Sequence, residues 1–541
     1  MGDKIYNRPL LRRRVGNCIL RASGRMPLSP ADRKAAEGTE FPVRLYLYGH
    51  HYQYAAEQML LTLFPEERPE YPEGRPEGDR IELRLSRGAR YTTASCALYR
   101  GGELWHGCAK APTERLRGEL DSDRICQRLV KNAMYRAALR SGHIRPAWGA
   151  LTGVRPGKLM TPLLRQGLSG KEAVRRFVEE FDVSPERAAL CLDTSRETLR
   201  AADSLERRDI CLYVGIPFCP TRCAYCSFVS QSVEKSMGLI EPFLGALFQE
   251  IAATAEQVRA LGLRVVSLYM GGGTPTTLSA EQLEALCREL ETRFDLSALR
   301  EYTVEAGRPD TISEEKLRVL RRHGVDRISV NPQTMRDSVL DAIGRRHTAA
   351  DIVSALETAR RVGGFAVNMD LIAGLPTDTP EGFAHTLEQV LALRPENITV
   401  HTLSLKKGSR LTAEGTELPS AEEVGVMLDR AGERLKEAGY APYYLYRQKF
   451  MSGGFENVGW ARPGTVNLYN ICMMEELCSI LAVGAGGSSK LVRCDGGRNL
   501  RLMAPKYPQE YIAAIDKTCS DKEKIAEFYR NWEEEATWLT S

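Results

Sequence analysis

The sequence has no run of about 18 apolar residues, the length that a membrane-crossing helix requires. Its N-terminus, Met1-Gly-Asp-Lys4, lacks the apolar stretch of a secretory signal. A large excess of one charge is missing too, since 74 Lys and Arg residues stand against 70 Asp and Glu residues, for a net charge of +4. These absences predict a cytoplasmic protein without stable membrane insertion and without nucleic-acid binding driven by bulk charge.

A disulfide framework is not expected either, although the 541 residues include 14 cysteines, because cytoplasmic thiols stay reduced. We interpret most of these cysteines, including Cys472 and Cys478, as small buried side chains on helix faces, and reserve a metal site for others. The eight histidines indicate no second metal site. The length and the 43% hydrophobic content predict several cores, either two to four domains or one barrel of about 250 residues with appended pieces.

Composition and hydrophobic periodicity divide the chain into five predicted regions. A basic tail without lasting periodicity comes first and is expected to be mobile. A small α+β domain, a helical connector, a region of repeated strand–helix units and a C-terminal α/β extension that closes the active site follow. In chain order these regions are 1–41, 42–142, 143–208, 209–403 and 404–541.

The fourth region repeats a short β-branched apolar run followed by an amphipathic helical stretch. Six such units predict a parallel sheet with right-handed crossovers, curled into a partial barrel or, as the alternative, doubly wound. Reactive groups should gather at the C-terminal strand ends. The strand candidates are Ile210–Ile216, Val265–Met270, Tyr302–Ala306, Arg327–Asn331, Val367–Ile372 and Ile398–Leu403, and polar or glycine residues at or past their ends are Cys219, Gly272, Glu305, Asn331, Asp370 and Thr402.

Three cysteines directly after the first of these strands have the spacing CxxxCxxC, at Cys219, Cys223 and Cys226. A structural zinc site needs four ligands, and the nearest other cysteine, Cys211, lies back inside the strand. A redox CxxC pair would leave Cys219 unexplained. Three thiolates on a [4Fe–4S] cube would leave one iron open to a small molecule, while zinc remains the alternative.

A glycine run, Gly271-Gly-Gly-Thr-Pro-Thr276, follows the second strand. Glycine lets the backbone approach a ligand closely because no Cβ intervenes. The run is not a phosphate loop, since no Gly-Lys-Ser/Thr follows it.

The cysteine loop followed by this glycine run resembles the radical S-adenosylmethionine (SAM) superfamily, whose signature is CxxxCxxC after the first strand of a partial (βα)6 barrel. The resemblance implies an α/β fold of that kind, a [4Fe–4S] cluster ligated by Cys219, Cys223 and Cys226, and SAM bound at the open iron. Reductive cleavage of SAM would supply a 5′-deoxyadenosyl radical that abstracts hydrogen from an unactivated carbon.

Further motifs are similar to a narrower branch, the HemZ-type oxygen-independent coproporphyrinogen III dehydrogenase (oxidase) family. They include Arg327-Ile-Ser-Val-Asn-Pro-Gln333, Ala342-Ile-Gly-Arg-Arg-His-Thr348 and Met369-Asp-Leu-Ile-Ala-Gly-Leu-Pro376. The resemblance implies that Tyr213 and Glu305 are catalytic and also contact SAM, and that the remaining cofactor contacts are Tyr225, Gly272, Gly273, Thr274, Gln333, Arg345 and Asp370. The position two after Cys226 is Phe228, where many oxidases of the branch carry a fourth cysteine.

The implied reaction converts two propionates of coproporphyrinogen III to vinyl groups and gives protoporphyrinogen IX for haem biosynthesis. It would need a low-potential electron donor and an electron acceptor, and we expect a monomer. A substrate with four carboxylates suggests cationic anchors, for which the candidates are Arg308, His401, Arg447 and Lys449. Two alternatives stay open, a haem chaperone of the same fold and a radical SAM haem methyltransferase.

Overall fold

The computed structural model describes residues 41–538 except 66, 117, 227–230, 233–235, 405–410, 412–416, 449–451 and 494–497. The predicted basic tail lies outside these residues except for its last position. Two sheets with separate hydrophobic cores organise the described chain, a small N-terminal one and a large one that carries the predicted barrel.

The N-terminal sheet has the order β2-β1-β3-β4-β5 and is covered on one face by two helices. Residues along β4 alternate between buried and exposed, as expected for a sheet with one solvated face. Gly107 lies where the backbone of the second helix crosses the sheet, and a Cβ there would stand 1.9 Å from the Ala133 carbonyl oxygen. The elements are β1 (Phe41–Tyr48), α1 (Gln53–Leu63), β2 (Glu67–Glu70), β3 (Arg80–Arg87), β4 (Tyr91–Arg100), β5 (Glu103–Pro112) and α2 (Glu119–Arg140).

The predicted connector consists of three helices, α3 (Gly157–Arg165), α4 (Gly170–Phe181) and α5 (Pro185–Ser204). Ser169 and Glu172 form a capping box at the start of α4, and Ser184 caps α5 ahead of a proline in its first turn. These caps are readable in the sequence, and they fix where both helices begin.

All six predicted barrel strands are present, and the fold class expected from the sequence is confirmed. Each strand pairs in parallel with the next, so that their C-terminal ends meet at one edge. Strand β6 is buried along nearly its whole length, as is typical of parallel strands covered on both faces. The strands are β6 (Asp209–Ile216), β9 (Arg264–Gly272), β10 (Glu301–Glu305), β11 (Arg327–Ser329), β12 (Ala366–Ala373) and β13 (Asn397–Thr402).

Helices alternate with these strands and cover the sheet. They are α6 (Ile240–Ala260), α7 (Ala280–Arg293), α8 (Glu314–Arg322), α9 (Asp337–Ala342), α10 (Ala349–Val362) and α11 (Pro380–Leu393). A two-stranded ribbon of β7 (Phe218–Cys219) and β8 (Gln231–Ser232) leads into and out of the cysteine loop.

The C-terminal extension adds strands at both edges of this sheet, which has eleven strands within the described residues. At one edge β15 (Glu456–Ala461) pairs antiparallel with β13, and β14 (Ala441–Arg447) follows it. At the other edge β16 (Ser479–Gly484) pairs in parallel with β6, followed by β17 (Ser488–Leu491) and β18 (Leu500–Met503). The helices of this region are α12 (Ala421–Glu437), α13 (Leu468–Glu475), α14 (Pro508–Ala513), α15 (Ile515–Ser520) and α16 (Glu523–Trp538).

Of the helices within the described ranges, none combines the length and the apolar character that crossing a bilayer would require.

Candidate active site

A cavity of about 430 Å³ opens where the C-terminal ends of the barrel strands meet. All three cysteines of the CxxxCxxC loop line it, together with side chains from β6, β9, β10, β12 and β13 and from the loops that follow them. The structure brings all nine predicted cofactor contacts to this one cavity: Tyr213, Tyr225, Gly272, Gly273, Thr274, Glu305, Gln333, Arg345 and Asp370.

The cysteine loop is held to the barrel by backbone and side-chain hydrogen bonds. The Ala224 N–H donates to the Ile343 carbonyl oxygen at 2.9 Å, which fixes the loop against the end of α9. The Thr274 hydroxyl lies 3.5 Å from Cys219 Sγ, and a guanidinium nitrogen of Arg308 lies 3.7 Å from Cys223 Sγ. Donors aimed at sulfur stabilise thiolates and tune cluster potentials. The loop therefore fits three-cysteine ligation of a [4Fe–4S] cluster.

The glycine run packs directly against the strand that leads to the cysteines. The N–H groups of Gly273 and Thr274 each donate at 2.7 Å, to the carbonyl oxygens of Ile216 and Phe218 respectively. A Cβ at position 273 would stand 2.4 Å from the Phe218 oxygen. Gly272 has a φ of +106°, a conformation that favours glycine. The run thus forms a cradle of backbone that side chains would fill.

Glu305, at the end of β10, is half-buried and has polar partners. The Tyr269 hydroxyl donates to one of its carboxylate oxygens, and Asn331 Nδ2 donates to the other at 3.3 Å. Burial and the nearby Asp370 raise the pKa of Glu305 to about 7, despite these hydrogen bonds. A half-buried carboxylate on a cavity wall is suited to pairing with a cation such as an amino group.

Arg345 is fixed by hydrogen bonds on two sides. Its guanidinium donates to the Asn331 carbonyl oxygen at 2.7 Å and to the Tyr225 hydroxyl at 3.1 Å. The nearby Gln333 has a φ of +65°, a strained value for a residue with a side chain. Its backbone N–H donates to the Asp370 carbonyl oxygen at 2.9 Å, which holds this conformation in place.

Asp370 and His401 form a pair on neighbouring strands β12 and β13. His401 Nε2 lies 3.7 Å from a carboxylate oxygen of Asp370, and Asn368 Nδ2 donates to its other oxygen at 2.8 Å. Burial alone would raise the pKa of Asp370, but the hydrogen bond and charge of His401 outweigh it and lower that pKa. Asp370 is therefore an ionised acceptor at neutral pH.

The four predicted substrate contacts lie in different places. His401 and Arg308 line the cavity, but Arg308 is occupied with Thr221, Asp310 and the sulfur of Cys223. Arg447 is not among the lining residues, because its guanidinium is buried and donates to the carbonyl oxygens of Leu151, Gly153 and Gly454. Lys449 lies outside the described residues.

The sequence analysis did not predict Tyr269, an aromatic residue of the cavity wall, or Tyr469, which packs on it from outside the cavity. Tyr269 lies beside Tyr213 in register on adjacent strands, with ring centroids 6.4 Å apart. Tyr469, from α13, stacks on Tyr269 with centroids 4.4 Å apart. The matching register of β6 and β9 could have indicated Tyr269, whereas Tyr469 comes from a distant helix and gave no local signal.

Comparison with known proteins places this site in a family. The family model of the radical SAM superfamily matches residues 213–390. The oxygen-independent coproporphyrinogen-III oxidase-like protein HemZ of Bacillus subtilis (strain 168) is 40% identical over 389 residues, which are 71% of this chain and 78% of that protein.

Two more distant relatives carry different functional names. The heme chaperone HemW of Bacillus subtilis (strain 168) is 33% identical over 253 residues, 45% of this chain and 64% of the relative. A protein of Cereibacter sphaeroides named coproporphyrinogen III oxidase, anaerobic 1, is 32% identical over 235 residues, 43% of this chain and 51% of the relative.

The partial barrel, the three-cysteine loop and the glycine cradle are the features of a radical SAM protein. The chain belongs to the radical SAM superfamily and, within it, to the family of HemZ-like oxygen-independent coproporphyrinogen-III oxidase-like proteins. The cofactors expected from the motif, a [4Fe–4S] cluster and SAM, are confirmed as those of this family.

Proposed function

We propose that this protein catalyses the oxygen-independent oxidative decarboxylation of two propionates of coproporphyrinogen III, giving protoporphyrinogen IX. One observation carries the proposal: a single cavity is lined by the three-cysteine loop, the glycine cradle and the polar strand ends, and also by His401 and Tyr446. A substrate held by His401 and Tyr446 would therefore lie in the same cavity as the cofactor. The names of the HemZ and Cereibacter relatives support the same reaction.

We assign Cys219, Cys223 and Cys226 to the cluster. When bound, the cluster and SAM supply a carbon radical that removes a hydrogen atom from the substrate. The protein's own task is to orient the substrate carbon and to exclude water from it. Hydrogen bonds from Thr274 and Arg308 to the cysteine sulfurs would hold the loop in the geometry that this requires.

The polar side chains around the cavity divide into two groups by charge. Ionised Glu305 would accept the amino group of SAM, while the fixed guanidinium of Arg345 would pair with a carboxylate. The remaining assigned cofactor contacts are Tyr213, Tyr225, Gly272, Gly273, Thr274, Gln333 and Asp370, all on the cavity wall.

Among the substrate candidates we retain His401, because it is partly exposed on the cavity wall and is held by Asp370. Arg308 acts through the cysteine loop instead. Arg447 is left out, because its donors already have carbonyl partners outside the cavity. The low-potential electron donor, the electron acceptor, the monomeric state and the cytoplasmic location expected from the sequence stay predictions.

Two other functions compete with the oxidase, and one product assay separates the three. The anoxically reconstituted protein is incubated with coproporphyrinogen III, SAM and a low-potential reductant, and the tetrapyrrole is analysed by mass spectrometry. Stepwise loss of two carboxyl groups with formation of vinyl groups supports the oxidase. In a parallel incubation with haem in place of coproporphyrinogen III, tight binding of unaltered haem would indicate a chaperone, and a mass gain of one methyl group would indicate a methyltransferase.

A matched pair of variants controls this assay. Cys223→Ser should abolish both cluster absorption and product. Cys287→Ser changes a buried thiol on α7, outside the cavity, and should leave product formation intact. Product from the Cys223→Ser variant at the rate of the unchanged protein would exclude the proposed catalyst.

A further inference from the structure

Three other cysteines meet in the interior, behind the cavity wall. Cys211 lies on β6, Cys472 on α13 and Cys478 directly before β16, and their sulfur atoms all lie within 4.8 Å of one another. The sulfurs of Cys211 and Cys478 are 3.7 Å apart. The parallel pairing of β16 with β6 brings these two residues together, since it places Ile480 opposite Cys211. Cys472 and Cys478 are buried, as predicted, but the expected helix-face position is wrong for Cys478, which lies between α13 and β16, and both residues converge with Cys211.

The sulfur spacing suits a single metal ion. Thiolates bound to one ion at about 2.3 Å lie roughly 3.8–4.0 Å apart in trigonal or tetrahedral geometry. Within the part of the chain that the structure describes, these three are the one group of potential ligands found this close together, and the cluster loop does not form such a group. That contrast is expected, because cluster cysteines bind three different irons of a cube. A disulfide would join only two of the three sulfurs.

The surroundings of the group are apolar and leave one polar atom without a partner. Ile480 and Tyr469 pack in the same buried cluster as the three cysteines. The Tyr469 hydroxyl is buried and has no hydrogen-bond partner among the described residues. An orphan hydroxyl in the same buried cluster as three thiols is unfavourable unless something in the cluster satisfies it.

We propose that Cys211, Cys472 and Cys478 bind one zinc ion, with the Tyr469 hydroxyl as the fourth protein ligand. Three thiols and Zn²⁺ give a tris-thiolate complex of net charge −1 and release three protons. A monovalent soft ion such as Cu⁺ would leave a charge of −2, which is harder to bury in apolar surroundings. The site is closed by protein and distinct from the catalytic cavity, so its role is structural.

The zinc would connect parts of the chain that are far apart in sequence. It would tie the first barrel strand to α13 and to the start of β16, and so fix the C-terminal extension to the barrel. Cys211 is two residues before Tyr213, whose ring lines the cavity, so the site would also steady that wall. The inference does not depend on the reaction assigned above.

Metal analysis of the full chain tests the proposal, with zinc as the only added metal. The protein carrying Cys219→Ser, Cys223→Ser and Cys226→Ser is incubated with zinc, desalted and analysed, so that the cluster loop cannot contribute. We expect close to one zinc per chain, and X-ray absorption at the zinc edge should show mainly sulfur ligands. Adding Cys472→Ser and Cys478→Ser should reduce zinc to a trace, whereas adding Cys191→Ser, a buried thiol elsewhere on α5, should not.

Because Cys472→Ser and Cys478→Ser could lose zinc simply by misfolding, a second measurement leaves both cysteines in place. Cobalt(II) added to the loop-substituted protein should give intense thiolate-to-cobalt absorption bands, which zinc then displaces. Failure to retain zinc together with the absence of these bands would overturn the proposal. It would also be overturned if zinc content were the same with and without Cys472 and Cys478.

Discussion

At the scale of single residues, the half-buried Glu305 predicts that SAM binding depends on pH. Its pKa is raised to about 7 by burial and by Asp370, from an ordinary value of 4.5. Folding therefore favours the protonated carboxyl, and its contribution to stability falls as the pH rises from 4.5 to about 7. A bound cation favours the opposite form, because it pairs with the carboxylate.

We therefore expect SAM to bind more tightly as the pH rises through about 7. Glu305→Gln should weaken SAM binding by about 10-fold or more and remove this pH dependence, since a neutral amide cannot pair with the amino group. Equilibrium binding of SAM to the anoxic, reconstituted protein at several pH values measures both effects. An unchanged pH profile in the variant would show that another group titrates.

A second substitution tests whether Tyr269 acts through Glu305. The Tyr269 hydroxyl donates to the carboxylate, and this hydrogen bond lowers the pKa of Glu305. Tyr269→Phe keeps the ring that stacks on Tyr469 but removes the hydroxyl. The midpoint of the SAM-binding profile should then move to higher pH, with near-normal affinity well above it. If the variant lowers affinity equally at every pH, Tyr269 contributes only packing.

At the scale of elements, the ends of the barrel strands could be predicted from the sequence, whereas the C-terminal elements that pack beside them could not. Six apolar runs, the CxxxCxxC loop and the glycine run are local patterns, so the sequence could locate β6 to β13 and the residues that follow them. The placement of β16 beside β6 depends on a pairing across more than 260 residues, which no local period encodes. The Cys211 group depends on that same pairing, and Tyr469 is placed by a backbone hydrogen bond to Glu301 on β10, which is also distant in sequence.

The contact between the glycine cradle and β7 can be tested by a substitution at Gly273. Gly273→Ala would place a Cβ 2.4 Å from the Phe218 carbonyl oxygen, so either the cradle or β7 must move. We expect a loss of about 1–3 kcal/mol in the free energy of unfolding and a lower cluster content after reconstitution. Chemical denaturation and iron analysis measure the two effects.

Gly245→Ala is the matched control for that substitution. It lies on an exposed face of α6, where an added Cβ meets nothing within 4 Å. Alanine there should leave cluster content unchanged and stabilise the helix by about 0.5–1 kcal/mol. If Gly273→Ala and Gly245→Ala have the same free energy of unfolding and the same cluster content, the cradle tolerates a side chain at position 273.

At the scale of the whole molecule, a buried polar network joins the helical connector to the C-terminal extension. Glu456, on β15, accepts from Trp148 Nε1 at 2.6 Å and pairs with Arg187 Nε at 2.7 Å. Arg447, on β14, lies beside it with its guanidinium carbon 5.2 Å from the centre of the Trp148 ring. Buried charges of this kind require complete hydrogen bonding, so each partner restricts how the two regions pack.

Arg447 therefore has a role that differs from the substrate anchoring expected from the sequence. Arg447→Leu would leave the carbonyl oxygens of Leu151, Gly153 and Gly454 without their donor in a buried setting. We expect a loss of about 3 kcal/mol in the free energy of unfolding, with SAM binding and the KM for coproporphyrinogen III unchanged at temperatures where the variant is folded. The same substitution at Arg200, an exposed residue on α5 that pairs with Glu197, should change stability by less than about 0.5 kcal/mol. If Arg447→Leu unfolds normally but has a raised KM for coproporphyrinogen III, Arg447 contacts the substrate after all. Its guanidinium would then have to leave its carbonyl partners and turn towards the cavity.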